Sequence, residues 1–440
     1  MNAMKTMNKD TNFRVKQFYI NENHNMYSFL LEQLHLSKNL YNATLYELRQ
    51  RFFNTNFIIS RNELNQIMKN KVFNDVKGYD YYSLATVHSA QQTMYKAMNN
   101  MIYFFKSLKE YNKNPKNYTG KPKLPKYKKK DGYYIVTLSN QNCKVKGNIL
   151  FFPKFYGNFN LNIEECFNNK DYDFHKLSEV RYYLKHDVII MEVVYQINPK
   201  QQCRLRKDKI CGIDLGVINF ATCSFNFNKS PILFDSSFIK STNQLYSKKI
   251  AKYQSLAKTC NSKYMTKRLE ALYLKRYRKI KDYMHKVSSY IIRECLKNGI
   301  SKIVIGENKS WKQHAKSMQN FIYIPYTMFR TMIEYKAKLY GMKVIFINEA
   351  YTSGTSFLDN EKPDKKFYKK DRRVYRGLFV SNNHILINAD VNAALQIIRK
   401  YEIVENGRRR RQMKKGLISC FKSNLNWKKM ASNIERVCVA

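Results

Sequence analysis

Residues 210–216, Ile-Cys-Gly-Ile-Asp-Leu-Gly, decide how the second half of this chain folds. A short β-branched run bounded by glycine reads as a buried strand, and it delivers Asp214 at its end. Two further acids stand in comparable frames. Glu307 closes the run Lys302-Ile-Val-Ile-Gly-Glu, again strand-like. Asp390 lies in Ile387-Asn-Ala-Asp-Val-Asn-Ala-Ala394, which opens a helix whose positive dipole end favours an anion. Taken singly, each is an ordinary turn or cap residue. Together, at two strand ends and one helix start, they supply the oxygen ligands that hard cations such as magnesium require. Two such cations roughly 4 Å apart clamp the attacking and leaving oxygens of a phosphodiester.

Composition indicates the counter-charge. Lys and Arg number 79 against 33 acids, a formal net charge of +46. Self-repulsion on that scale calls for a polyanionic partner, and neutralised phosphate adds affinity by releasing counterions. The 34 Tyr and 27 Phe supply flat faces for stacking on unpaired bases. A low-GC genome explains part of the Lys, Asn, Tyr and Ile content but not the excess of Lys over Glu. No run of eighteen apolar residues is present, so no membrane span is expected. The first ten residues lack the apolar core of a signal peptide. Nine cysteines, with no Cys-x-x-Cys pair, read as reduced thiols. A cytoplasmic setting is expected.

The length of 440 residues predicts two or three domains. Residues 12–20 read as a strand. Residues 23–54 and 83–111 carry apolar stripes at helical spacing, including Leu30, Leu34, Val87, Ala90, Met94, Ala97 and Met101. Between 112 and 132, Pro115, Gly120, Pro122 and Pro125 punctuate a Lys-rich stretch. Lys121, Lys123, Lys126, Lys128, Lys129 and Lys130 make it a candidate nucleic-acid contact rather than a solvated linker. Strands are predicted at 133–138, 149–152, 180–184 and 188–196, a small β-barrel split by the helical blocks. From 209 the order becomes hairpin (210–214, 220–225), strand (232–235), helix (241–298), strand (303–306), helix (327–340), strand (343–347) and helix (390–401). That order is the ribonuclease H pattern, a mixed sheet flanked by helices.

The motifs in these elements resemble the transposon-encoded TnpB proteins, RNA-guided nucleases with a RuvC-type ribonuclease-H fold and apparent ancestors of type V CRISPR effectors. The matching stretches include Gly-Ile-Asp-Leu-Gly-Val at 212–217, Asp282-Tyr-Met-His-Lys286 and Ile-Val-Ile-Gly-Glu-Asn at 303–308 with Trp311-Lys312. Tyr351-Thr-Ser353, Arg376-Gly-Leu-Phe379 and the Asp390 motif complete the carboxyl half, and residues 119–131 and 137–140 look like the family's wedge domain. The resemblance implies a multi-domain α/β chain. Residues 1–11 would be disordered, 12–22 with 112–206 a wedge β-barrel, and 23–111 an inserted helical recognition domain. Residues 207–350 with 386–404 would form the RuvC nuclease domain, 351–385 a lid insertion, and 405–440 a basic tail.

The same resemblance implies that Asp214, Glu307 and Asp390 hold two Mg2+ ions. It places Ser89, Gln91 and Gln92 on a helix that reads a short motif beside the target, since Gln pairs with adenine edges. Lys312, Arg372, Arg373 and Arg376 are the further nucleic-acid contacts expected, and the lid is expected to be held by packing and by basic contacts from Lys365, Lys366, Lys369, Lys370, Arg372 and Arg373. A guide RNA and double-stranded target DNA are the implied partners of a chain acting as a monomer. Family members usually carry a zinc ribbon in the lid. Here Ser356-Phe-Leu-Asp359 and Arg376-Gly-Leu-Phe379 stand where cysteine pairs belong, with His384 the only nearby histidine. Four thiolate or imidazole ligands are not reached, so no zinc is expected. A miniature type V CRISPR effector shares every motif. A guide-dependent DNA-binding repressor would be marked by loss of an acid, and a resolvase or transposase acting without RNA fits the split amino-terminal half poorly.

Overall fold

The computed structural model describes residues 12–115, 118, 120–200, 204–261, 265–307, 324–375, 377–412 and 435–437. Expectations for residues 1–11, Lys312, Arg376 and 413–434 lie outside the described residues. The chain forms two compact units, Met1–Lys200 and Gln201–Ala440. No helix among the described residues is long and apolar enough to cross a membrane.

The first unit opens with β1 (Asn12–Ile20) and then leaves its sheet for helices. These are α1 (Tyr27–Thr55), α2 (Arg61–Asn70), a short hairpin of β2 (Val72–Phe73) and β3 (Val76–Lys77), α3 (Tyr79–Tyr82) and α4 (Val87–Lys113). Leu30, Leu34, Leu40 and Leu45 of α1 and Ala90, Met94 and Ala97 of α4 are all fully buried, as their spacing predicts. The chain returns through β4 (Val136–Ser139), β5 (Lys144–Lys146), β6 (Ile149–Phe151), β7 (Asn160–Asn162), α5 (Glu164–Phe167), β8 (Tyr172–Lys185) and β9 (Val188–Pro199).

The four-stranded antiparallel sheet has the order β1-β9-β8-β4, and β5, β6 and β7 form a separate sheet. The expected barrel is therefore an open sheet whose edge strands β1 and β4 do not pair with each other. Four strands are too few to enclose a side-chain-filled interior. His186 and Asp187, with φ of 50° and 58°, turn the long β8–β9 hairpin in the backbone hand that suits strand twist.

In the second unit β10 (Arg206–Asp214), β11 (Asn219–Phe225) and β12 (Ile232–Asp235) form a meander, followed by α6 (Ser237–Asn261) and α7 (Lys267–Lys297). The single helix predicted over 241–298 is thus two helices. Thr266 starts the second by accepting the N–H of Leu269 at 3.3 Å. Then come β13 (Ile300–Glu307), α8 (Tyr326–Leu339), β14 (Lys343–Asn348), the β15–β16 hairpin (Leu378–Val380, Leu386–Asn388), α9 (Ala389–Gln412) and β17 (Glu435–Val437). Helix α9 outruns its predicted end at 401, and β17 pairs parallel to β12, so part of the expected tail belongs to the fold.

The sheet order is β14-β13-β10-β11-β12-β17. Its two faces are read from alternation. Cys211, Ile213, Ile303 and Ile305 pack with Met284, Val287, Phe329 and Ile333 of α7 and α8. Ile210, Val304, Ile345 and Ile347 pack instead with Ile397, Ile398 and Tyr401 of α9. Each fully buried aliphatic side chain contributes ~1.5–3 kcal/mol, enough for this parity to fix the register. Gly212 lets α9 come close: a Cβ there would stand 2.5 Å from the Ala394 carbonyl oxygen and 2.6 Å from Ile398.

Candidate functional site

Asp214 is the last residue of β10, and its parity with Ile210 and Gly212 turns it to the α9 face. Asp390 enters that face from the first turn of α9. Asn388 caps this helix, its Oδ1 accepting the N–H groups of Asp390 at 3.0 Å and Val391 at 3.2 Å. Asn219 donates to one Asp390 oxygen at 2.8 Å and Arg373 to the other at 3.4 Å. The carboxylate is therefore oriented from both sides.

Burial, followed by the charges of Asp390 and Glu349, pushes the Asp214 carboxyl well above its ordinary range, with Arg373 opposing. Tyr326, from α8, borders the same place. Its hydroxyl donates to the Gly216 carbonyl at 2.7 Å, and burial, Asp214 and Glu349 raise its pKa. Repulsion between acids held together is a common mark of a site built for a cation. The donor set suits Mg2+ because every side-chain ligand available is a carboxylate or hydroxyl oxygen. Among the described residues, no three His, Cys, Asp or Glu are already gathered tightly enough to hold an ion.

Glu307, the third acid expected, ends β13. Its parity is that of Ile303 and Ile305, so it leaves β13 on the α7/α8 face. There Arg330 of α8 donates to its carboxylate at 3.2 Å and to the Gly306 carbonyl at 3.3 Å. The charges acting on Asp214 are those of Asp390, Glu349 and Arg373. Glu349, one residue beyond β14, was not singled out from the sequence. The signal that finds it is the alternation Ile345, Ile347, Glu349 along that strand.

The lid segment is held by side chains. Glu361 is its centre: it accepts the Ser356 N–H at 2.7 Å and pairs with Arg372 at 2.6 Å, each side chain only 10% exposed. Asn392 of α9 bonds the Phe357 N–H and the Thr355 carbonyl, each at 2.9 Å. The Arg399 guanidinium lies 4.0 Å from the Phe357 ring centre. Arg372 is thus a mostly buried ion-pair partner of Glu361 and also donates to Asn382, contacts that hold the lid. Arg373 turns to Asp390 and belongs to the acidic site.

The first unit carries a basic cleft. The Pro- and Lys-rich segment is strapped to α1: Asn42 bonds Lys128 twice, at 2.8 and 3.0 Å, Lys38 donates to the Lys130 carbonyl, and Arg49 to that of Pro125. Lys121, Lys123, Lys126, Lys129 and Lys130 remain exposed. Lys128 does not; its ammonium lies about 5 Å over the rings of Tyr41 and Tyr134. Between strap and helices is a cleft of about 460 Å³ lined by Tyr103, Phe104, Lys123, Lys126 and Tyr127 among others, a pairing of ring faces and ammonium groups that suits unpaired nucleotides.

On α4 the expected readers separate. Ser89 is buried, and Thr86, the helix cap, bonds its backbone N–H at 3.1 Å and its hydroxyl at 2.7 Å. It offers no edge to a base. Gln91 and Gln92 are partly exposed, with Gln91 3.4 Å from the Tyr81 hydroxyl.

A family model described as a probable transposase (OrfB_IS605) matches residues 192–312, and one described as a Cas12f1-like TNB domain matches residues 326–397. A TnpB-like protein of Methanocaldococcus jannaschii is 28% identical over 241 residues, covering 52% of this chain and 80% of that protein. Among solved structures, the Cas12f1 chain of a Cas12f1–sgRNA–target DNA complex aligns over 84% of this chain and 82% of its own length. The TM-score is 0.52 at 17% identity, a likeness of fold.

Proposed function

We propose that this chain is a TnpB-family protein and an RNA-guided, Mg2+-dependent DNA endonuclease, a reading supported by its similarity to the family models, the TnpB-like relative and the Cas12f1 fold. The observation that carries the reading is the meeting of Asp214 with Asp390 on the α9 face of a ribonuclease-H-like sheet, in a chain of charge +46. Asp214, Asp390 and Glu307 would hold Mg2+, which when bound supplies charge for the attacking and leaving oxygens of a phosphodiester. Asn219 fixes the Asp390 carboxylate. Arg373 balances the charge of the acids. Asp214 must give up its proton before it can act as a ligand, so metal binding strengthens as pH rises.

The first unit would hold the wedge (12–22 with 112–206) and recognition (23–111) regions, with the strapped Lys segment against the guide RNA. Pairing by the guide would then read the target, while the protein reads duplex shape and a short adjacent motif. A miniature type V effector is the second reading, favoured by the Cas12f1-like TNB match at 326–397; a CRISPR array beside the gene would decide for it.

Asp214→Ala and Asp390→Ala should each abolish guided cleavage while leaving target binding within about threefold, because affinity rests on many distant basic residues. Cleavage by either variant at near the parental rate would reject the assignment. Target binding with no cleavage by the parent chain would favour the repressor.

A further inference from the structure

The cleft under the Lys-rich strap lies wholly within the first unit and is built from two rigid walls. One wall is α4, where Asn100, Tyr103, Phe104 and Ser107 recur at three- and four-residue steps and so share a face. The other is Pro122, Pro125 and Tyr127 of the strap. Arg49 of α1 donates to the Pro125 carbonyl, and its guanidinium lies 4.5 Å from the centre of the Tyr127 ring. Below them Asn100 donates to the Tyr41 hydroxyl at 3.0 Å, and the Lys128 ammonium sits 5.1 Å from the Tyr41 ring centre. The walls are therefore in place before anything binds, which lowers the ordering cost of an occupant.

The lining decides what that occupant is. Tyr103 is 62% exposed and Tyr127 44%, so both offer ring surface to an incoming group. Lys123 and Lys126 are exposed beside them, and among the described residues that line the cleft none is an acid. Ring and proline faces alone would suit an apolar peptide. Ammonium groups alone would suit any phosphate. Both together, in about 460 Å³, match a flat base joined to an anionic backbone, and the volume is in the range of small-ligand sites.

We propose that the cleft takes one unpaired nucleotide of a single strand, its base against the rings of Tyr103 and Tyr127 and its phosphates on Lys123 and Lys126. The proposal rests on the guided-nuclease reading and deepens it, adding a single-strand contact in the unit that carries no part of the acidic site. Every base has a ring face, so such a cleft holds a strand without reading its sequence.

The test is the affinity of the full chain, freed of RNA, for fluorescent oligo-dT, oligo-U and an abasic deoxyribose-phosphate strand of equal length. The abasic strand keeps the phosphates and removes every base face. The parent should bind a base-bearing strand at least fivefold more tightly than the abasic one, the lower end of what one stacked base contributes. Tyr103→Ala and Tyr127→Ala should each remove most of that preference and leave abasic binding within about twofold. Tyr103→Phe should retain it, because the ring face remains. Phe155→Ala, at a ring 75% exposed outside the cleft, should change nothing. A preference confined to oligo-U would assign the cleft to RNA, and one confined to oligo-dT to a DNA strand. Equal affinity of the parent for base-bearing and abasic strands would overturn the proposal, whether or not the variants fold. So would a preference that survives both Tyr→Ala changes in protein whose melting curve matches the parent. If the preference is absent while the RNA-reconstituted parent still cuts, the cleft assignment falls alone and the nuclease reading stands.

Discussion

At the scale of single residues, Glu402 shows what burial in this fold costs. It lies in α9 with Oε2 buried and unpaired. Burial first, with Glu405 adding and Arg399 and Lys302 opposing, pushes its carboxyl up to about 7. A folded-state value raised above the unfolded one means that folding is penalised once the unfolded chain ionises. The penalty is absent below about 4.5, grows between there and about 7, and is complete above. Glu402→Gln keeps the volume and removes the charge. It should stabilise the second unit at pH 8, by on the order of 3 kcal/mol given ~1.4 kcal/mol per pKa unit, and give no gain at pH 4. Urea unfolding at both pH values checks this; equal shifts at pH 4 and pH 8 would show that packing rather than titration is responsible.

At the scale of elements, the Gly-Ile-Asp-Leu-Gly motif is explained by the approach of α9 to β10. Gly212 admits the helix, Ile213 fills the opposite core and Asp214 ends the strand beside the helix start that carries Asp390. A methyl group on Gly212 meets a backbone oxygen at 2.5 Å, which cannot swing aside as a side chain does. Gly212→Ala should therefore cost ~1–3 kcal/mol of stability and displace Asp390 from Asp214. Guided cleavage should fall at least tenfold in protein that remains folded; unchanged cleavage would mean that α9 adjusts without moving its first turn. The strand ends at Asp214 and Glu307 and the helix start at Asp390 were legible in the sequence, because β-branched runs and a capping Asn mark them locally. Which face each acid takes was not, since parity depends on register against neighbouring strands. That is why Glu349, in Ile-Asn-Glu-Ala, passed unnoticed as a neighbour of Asp214. Ser89 was misread for a similar reason: a serine three residues after a Thr cap belongs to the helix start. The Lys-rich strap was read as a contact surface, but its anchoring by Asn42 depends on a tertiary pairing with no local sequence mark.

At the scale of the whole molecule, the charge of +46 is a property that no internal pairing balances, with 79 basic residues against 33 acids. Several of those acids are already committed inside the fold, among them Glu192 to Arg181, Glu294 to Lys229 and Glu361 to Arg372. The excess is therefore available to a polyanion, and the chain should co-purify with a discrete structured RNA from its own locus. Stripped of that RNA, it should bind duplex DNA with little sequence preference and lose that binding steeply as salt rises, since each phosphate contact releases counterions. With RNA and guide restored, cleavage should appear at matched sites beside one short motif, and mismatches nearest that motif should be the most damaging. The measurement is cleavage of a randomised target library by RNA-free and RNA-reconstituted protein, at matched salt and with Mg2+ in both arms. Sequence-specific cutting of equal extent in the two arms would reject RNA guidance and leave an autonomous nuclease built on the same acidic site.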